Sequence, residues 1–259
     1  MAENGARTDW RPPQSLEERL RGALIPPRLY YGMRARREHR KGEAELRILP
    51  FLADPARVAV DAGANKGVYT YWLERLSRHV HAFEPNPKMF DVLRRGAGPN
   101  ATVHYAALSD TTGQLALRIP ETGKGRYSNQ GASLNHDKVG ERYGEVMVDT
   151  FRLDDQNLGP VGFLKIDVEG HEMEVLDGAR QTIERDRPAL LIEMEQKHTK
   201  RPIEDDLARV EALGYRTLYL HRGVLKDGTD FDGDFHQRGV EDWADYVFNF
   251  IFLPKGKAS

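Results

Sequence analysis

From residue 57 onward, short apolar runs alternate with helical stretches, and this alternation limits the chain to few folds. Residues 57–61, 79–84, 101–108, 161–168, 188–195, 215–221 and 246–253 read as core strands. Helical patterns fill 67–76, 87–95, 171–184 and 203–213 between them. Strands that alternate with helices build a parallel sheet with helices on both faces. The expected fold is therefore α/β and Rossmann-like, with a central, mostly parallel, seven-stranded sheet. Segments 115–120 and 146–153 read as extra strands around a Gly-, Ser- and Asn-rich insert at 123–135.

Before residue 50 the texture differs. Residues 1–14 are polar, end in Arg11-Pro12-Pro13 and read as disordered. Ser15 followed by Glu18 is a capping-box pattern, and Pro26-Pro27 interrupts the helical run that follows. The expected organisation is a helical N-terminal arm over 1–50 and a cofactor domain over 51–259. The polar N-terminus has no apolar signal core, no apolar run reaches membrane-span length, and cysteine is absent from the 259 residues. These features fit a cytoplasmic protein without disulfides or thiolate metal ligands. The 38 basic and 40 acidic side chains leave a net charge of −2, which argues against a nucleic-acid partner. One basic stretch, with Arg34, Arg36, Arg37, Arg40 and Lys41, reads either as a solvated helix face or as a contact with an anionic substrate.

The loop Asp61-Ala62-Gly63-Ala64-Asn65-Lys66-Gly67 follows a strand and opens a helix. In doubly wound sheets, ligands bind beyond the carboxyl ends of strands at the switch point. A dinucleotide loop needs G-x-G-x-x-G, but counting from Gly63 the next two glycine positions hold Asn65 and Val68. No Gly-Lys-Ser/Thr follows, so a phosphate loop is also disfavoured. Glycine at position 63 would let the backbone approach a ligand, so a branched side chain there is expected to block binding while leaving the fold intact. Asp61 suits orienting the loop or attracting a ligand ammonium. Glu84 ends the second strand, where a carboxylate can accept from both hydroxyls of a ribose. Asn86 before Pro87 reads as a helix cap, and the two roles are compatible. Asp110, beyond the third strand, reads equally as an adenine contact or as a turn residue.

These segments resemble the FkbM family of S-adenosylmethionine (SAM)-dependent methyltransferases. The resemblance is carried by VAVDAGANKGVYT (58–70), HAFEPNP (81–87), the Ala-Leu-Ser-Asp turn (107–110), VDTFRLDD (148–155) and FLKIDVEGHEMEVLDGA (163–179). It spans most of residues 57–195. It implies a class I methyltransferase fold, SAM as cofactor, and methylation of a hydroxyl on a sugar, glycan or secondary metabolite. It also implies cofactor contacts from Asp61, Gly63, Asn65, Gly67, Glu84, Asp110 and Asp167, with Asp167 beside the transferred methyl. The family commonly carries a small residue where this chain has His171, which predicts an altered pocket floor.

Methyl transfer to a neutral hydroxyl needs alignment and a group that takes the proton. By strand alternation Lys165, Asp167 and Glu169 fall on one face, and the next strand supplies Glu193 and Glu195, with His198 just past its end. Asp167 is the first candidate for the base or orienting carboxylate. His198 is the rival, because its unperturbed pKa lies nearest neutrality. Lys165 can pair with a carboxylate, and Glu193 serves either that pair or the acceptor. No ligand spacing indicates a metal, and none is expected. The acceptor is expected to be a small molecule or carbohydrate, walled by the 123–135 insert and by Phe231, Phe235, Trp243 and Tyr246, unless those aromatics simply pack the core. Two other readings stand beside this one: a nucleotide-dependent oxidoreductase of Rossmann type, and an inactive binding module on a SAM fold.

Overall fold

The computed structural model describes residues 10–123, 125–135, 139–199 and 201–256. Two helices, α1 (Leu16–Leu24) and α2 (Pro27–Lys41), lead through a short turn to α3 (Leu49–Leu52). The core alternates β1 (Val58–Ala62), α4 (Val68–Leu76), β2 (His79–Phe83), α5 (Pro87–Gly96) and β3 (Ala101–His104). A second group follows: β4 (Ala107–Leu108), β5 (Gly113–Gly123), β6 (Arg126–Tyr127) and β7 (Tyr143–Phe151). The main sheet resumes with β8 (Val161–Ile166), α6 (Glu172–Gly178), α7 (Arg180–Asp186) and β9 (Ala189–Glu193). The chain closes through α8 (Gln196–Thr199), α9 (Ile203–Glu211), β10 (Tyr215–His221), β11 (Val224–Asp227) and β12 (Asn249–Pro254).

The main sheet runs β11-β10-β12-β9-β8-β1-β2-β3. The pairs from β3 to β9 are parallel, and β12 lies antiparallel between β9 and β10. This is the Rossmann-like class I methyltransferase arrangement with one strand beyond the seven expected. The eighth, β11, folds back on β10 through Arg222 and Gly223, which both hold positive φ (48° and 77°) as a tight hairpin requires. Val224, Leu225 and Lys226 are exposed, so no apolar alternation advertises the strand.

The expected strand over 101–108 is two strands in two sheets. After His104 the chain leaves the main sheet, and β4 pairs with β7 in a four-stranded sheet ordered β4-β7-β5-β6. That sheet contains both extra strands expected from the sequence, packed through Leu117, Ile119, Val146 and Val148. The expected helix over 171–184 breaks at Ala179 into α6 and α7.

The strands of the main sheet are apolar because both faces are covered. One face holds Val60, Leu164, Ile166 and Ile192 against α6, α7 and α9. The other holds Ala59, Val80, Phe163 and Leu191 against α3 and α4. Helix α2 joins the body through Tyr31 and Ala35, which pack on Ala64, Tyr71 and Leu93. Of the segment expected to be disordered, residues 1–9 lie outside the described residues. Trp10 stacks edge-on against Tyr127 at 4.9 Å, and Arg11 pairs with Asp91 at 2.7 Å.

Candidate active site

A cleft of about 340 Å³ opens at the carboxyl ends of β1, β2 and β8. Glu84, Met89, Leu108, Asp167, Glu193 and Phe248 are among its walls. Beside it, across Gly63, Asn65 and Asp167, lies a recess of about 120 Å³ that reaches Asp61, Lys66 and Lys165.

Glu84 sits where β2 ends and is buried. Its Oε2 accepts from the Asn65 amide at 2.6 Å, and its Oε1 accepts from the Asn86 amide at 2.7 Å. These bonds leave further lone pairs on a carboxylate facing the cleft. Burial pushes Glu84 up to about 7, against the pull of those amides. Asn86 also caps α5, its Oδ1 accepting from the Lys88 amide at 3.1 Å. The cap and the cleft-facing carboxylate therefore coexist.

Asp61 is 1% exposed. Its Oδ2 accepts from the Thr70 hydroxyl at 2.6 Å, while its buried Oδ1 has no hydrogen-bond partner among the described residues. Burial raises its pKa, and the nearby Lys165 ammonium opposes the shift. Lys165 faces Asp61 across the β1–β8 register. Its Nζ donates to Asp167 Oδ2 at 2.8 Å and stands 4.6 Å from the Tyr69 ring centre. Burial works against this ammonium, but Asp167, Asp61 and Glu43 outweigh it and hold its pKa above the ordinary value. Asp167 itself is the open end of the pair, with a side chain 27% exposed against 3% for Lys165. Glu193 reaches the same wall from β9. Burial, reinforced by Asp167, raises its pKa far enough for it to carry its proton at neutral pH.

Two glycines of the loop have reasons other than a ligand. A Cβ on Gly63 would lie 1.7 Å from the Asp167 carbonyl oxygen, and the residue holds φ +78°. Gly63 lines the cleft, but the close pass of the β1 loop against the Asp167 carbonyl already calls for glycine, which argues against the expectation that a branched residue there leaves the fold intact. Gly67 also holds φ +78°, and its missing Cβ makes room for Leu93 and Tyr31. It starts α4 and does not line the cleft or the recess. Asn65 lines both, at φ 50°.

Asp110 is exposed and lies outside the cleft wall, its Oδ1 accepting from Ser109 Oγ at 3.1 Å. The wall holds His171 there instead, sharing a hydrogen bond with Ser109 Oγ at 2.9 Å. Burial lowers the His171 pKa, which keeps the ring neutral. His198 is not in the cleft wall either. It stands behind Glu169, 3.8 Å from its Oε2, and 3.4 Å from Glu195 Oε1. Strand alternation does not carry Glu169 onto the Lys165 face, because β8 ends at Ile166 and Glu169 takes φ 59°. Glu169 still lines the cleft and accepts from the Gly131 amide at 3.1 Å.

The insert that begins after β5 supplies wall through Asn129, Gln130, Gly131, Ala132 and Leu134. The expected aromatic wall is otherwise placed: Phe231, partly buried, stacks on His236 against the core, and Trp243, 69% exposed, stacks on Tyr246. Phe248 faces the cleft in their stead. Glu43, Met89 and Phe248 carried no motif that singled them out. Among the described residues, no group of three His, Asp or Glu side chains is arranged to hold a metal ion.

A family model described as the methyltransferase FkbM domain matches residues 61–217. The chain belongs to the FkbM methyltransferase family. Its relatives include methyltransferase sdnD of Sordaria araneosa, 31% identical over 152 residues that cover 46% of this chain and 59% of the relative. Methyltransferase 1 of Beauveria bassiana is 34% identical over 153 residues, covering 51% and 61%. Hexuronic acid methyltransferase AglP of Haloferax volcanii is 29% identical over 152 residues, covering 56% and 59%. The matches thus span about 60% of each relative. The crystal structure of an FkbM methyltransferase from Methylobacillus flagellatus superposes with a TM-score of 0.50 at 18% identity, covering 77% of this chain and 44% of the other, a likeness of fold. The cofactor of this FkbM chain is SAM. Two observations fit it: a buried, unpartnered Asp61 oxygen suits an ammonium, and Glu84 faces the cleft where a ribose diol would meet it. No described helix of this FkbM protein is long and apolar enough to cross a membrane.

Proposed function

We propose that this chain is a SAM-dependent O-methyltransferase acting on a hydroxyl of a sugar, glycan or other small molecule. The observation that carries the reading is the exposed end of the Lys165–Asp167 pair, in the same cleft as Glu84. SAM supplies an electrophilic methyl on a sulfonium. Glu84 holds the ribose hydroxyls, Asp61 and Asn65 position the far end of the cofactor, and Met89 and Leu108 make an apolar slot for the base. The acceptor oxygen must lose its proton as its new bond to carbon forms. Asp167, oriented by Lys165, receives that proton or aligns the hydroxyl that gives it up. Glu193 carries its own proton and donates a hydrogen bond to the acceptor. A carbohydrate acceptor is favoured by a polar wall of Asn129, Gln130 and Glu169, and by a relative named for hexuronic acid.

The test is an acceptor screen with methyl-labelled SAM across sugars, uronic acids and hydroxylated small molecules. Its products would be read by mass and by the chemical shift of the new methyl. O-methyl products are expected. Methylation on nitrogen or carbon, or binding of NAD without binding of SAM, would overturn the reading. Glu84→Ala is expected to weaken SAM at least about tenfold by calorimetry, since a hydrogen bond to a charged group contributes on the order of 1.5–3 kcal/mol.

A further inference from the structure

The recess beside the cleft is polarised. Its buried end is acidic, with the unpartnered Asp61 Oδ1 and the Asp167 carboxylate near the Lys165 ammonium. Its outer end carries two cations, with Glu38 of α2 beside them. Lys66, on the loop after β1, and Arg34, on α2 of the N-terminal arm, both line it. The ammonium of Lys66 has no hydrogen-bond or ion-pair partner among the described residues, although the side chain is half-buried. Arg34 Nε is buried and likewise unpartnered, and its guanidinium reaches Glu38 only at 3.9 Å. Burial, and the Arg34 charge next, press the Lys66 pKa down to about 8. Two cations lining one part-buried recess repel each other, and a bound anion would relieve that repulsion beyond what Glu38 does. The rest of the basic stretch differs: Arg36, Arg37, Arg40 and Lys41 are exposed and solvated.

We propose that Lys66 and Arg34 form a carboxylate-binding subsite, so that the N-terminal arm completes the ligand site. A carboxylate suits both donors: Lys66 meets it as a point charge, and Arg34 offers a planar fork. Two ligands could bring that group, the methionyl end of SAM or an acidic acceptor. The polarity of the recess favours the first, because an α-amino acid carries an ammonium for Asp61 beside a carboxylate for Lys66 and Arg34. The inference rests on the SAM reading of the cleft and adds the arm to it.

Calorimetry on the full chain separates the outcomes. S-adenosylhomocysteine carries the amino-acid group, and 5′-methylthioadenosine lacks it. Lys66→Met and Arg34→Met are each expected to weaken S-adenosylhomocysteine about tenfold or more and to leave 5′-methylthioadenosine unchanged, while the conservative Lys66→Arg is expected to keep most of the wild-type affinity. If S-adenosylhomocysteine is unaffected but the variants lose preference for glucuronate over glucose on the S-adenosylhomocysteine-loaded protein, the carboxylate is the acceptor's. If neither discrimination changes, the subsite is overturned. Failure of the wild-type chain to bind both adenosyl compounds would instead refute the cofactor reading, a distinct result.

Discussion

The Lys165 ammonium stands between a buried Asp61 and a half-open Asp167, and of the two only Asp167 opens on the cleft. Asp61 is held by Thr70 and lines the recess but not the cleft. Asp167 lines the cleft, while His198 lies behind Glu169. Asp167→Asn keeps the shape and removes the charge. Turnover is expected to fall by roughly 10²–10⁴ with SAM affinity little changed, the span typical of general acid–base groups. His198→Ala is expected to leave turnover within a few-fold of the wild type. Single-turnover rates at saturating SAM check both, and a dead His198→Ala beside a fully active Asp167→Asn would reverse the assignment.

At the scale of elements, the close crossing of the β1 loop over the end of β8 organises the site. The Asp167 amide donates to the Ala62 carbonyl at 3.0 Å, and Gly63 passes directly against the Asp167 carbonyl. A methyl group on residue 63 must push the two apart while occupying a left-handed backbone conformation. Gly63→Ala is therefore expected to cost roughly 2–4 kcal/mol of stability, summing backbone strain and overpacking. The same displacement would move Asp167 and is expected to abolish SAM binding. Urea unfolding and calorimetry on one preparation check this. Wild-type stability combined with weaker SAM would show that a ligand, not the carbonyl, imposes the glycine.

Across the whole molecule, residues 43–45 tie the arm to both halves of the sheet. Glu43 accepts from the Tyr69 hydroxyl at 2.5 Å and from Asn249 Nδ2 at 3.1 Å, joining α4 to β12. Glu45 is 7% exposed beside it, and burial, with repulsion from Glu43, pushes its pKa from 4.5 up to about 7. A carboxyl raised in the folded state favours folding fully below about pH 4.5, and that contribution is lost as pH rises through 7. Glu45→Gln removes the titration. The variant is expected to gain stability relative to the wild type between pH 4.5 and 7 and to hold a constant difference above. Urea unfolding at a series of pH values checks this, and a difference independent of pH would refute the burial of an ionising Glu45.

The sequence alone determined the layered α/β fold and the loops that make its site, because both are local. Apolar runs of strand length, the Asp61–Gly67 loop and the Glu84-Pro85-Asn86-Pro87 corner each report their conformation within a few residues. The hairpin strand β11 was not legible, since its side chains are exposed and carry no alternation. Nor was the break at Ala179, which separates two short helices within one continuous helical pattern. The cleft walls were decided by tertiary structure. Asn129 and Gln130 reach the cleft because the segment after β6 folds against it, Phe248 because β12 inserts antiparallel beside β9, and Arg34 because Tyr31 and Ala35 seat α2 on the body. Composition could not distinguish Arg34 from Arg36 and Arg37. Only the packing of α2 turns one of them toward the recess and leaves the others in water, because a helix presents successive residues on different faces.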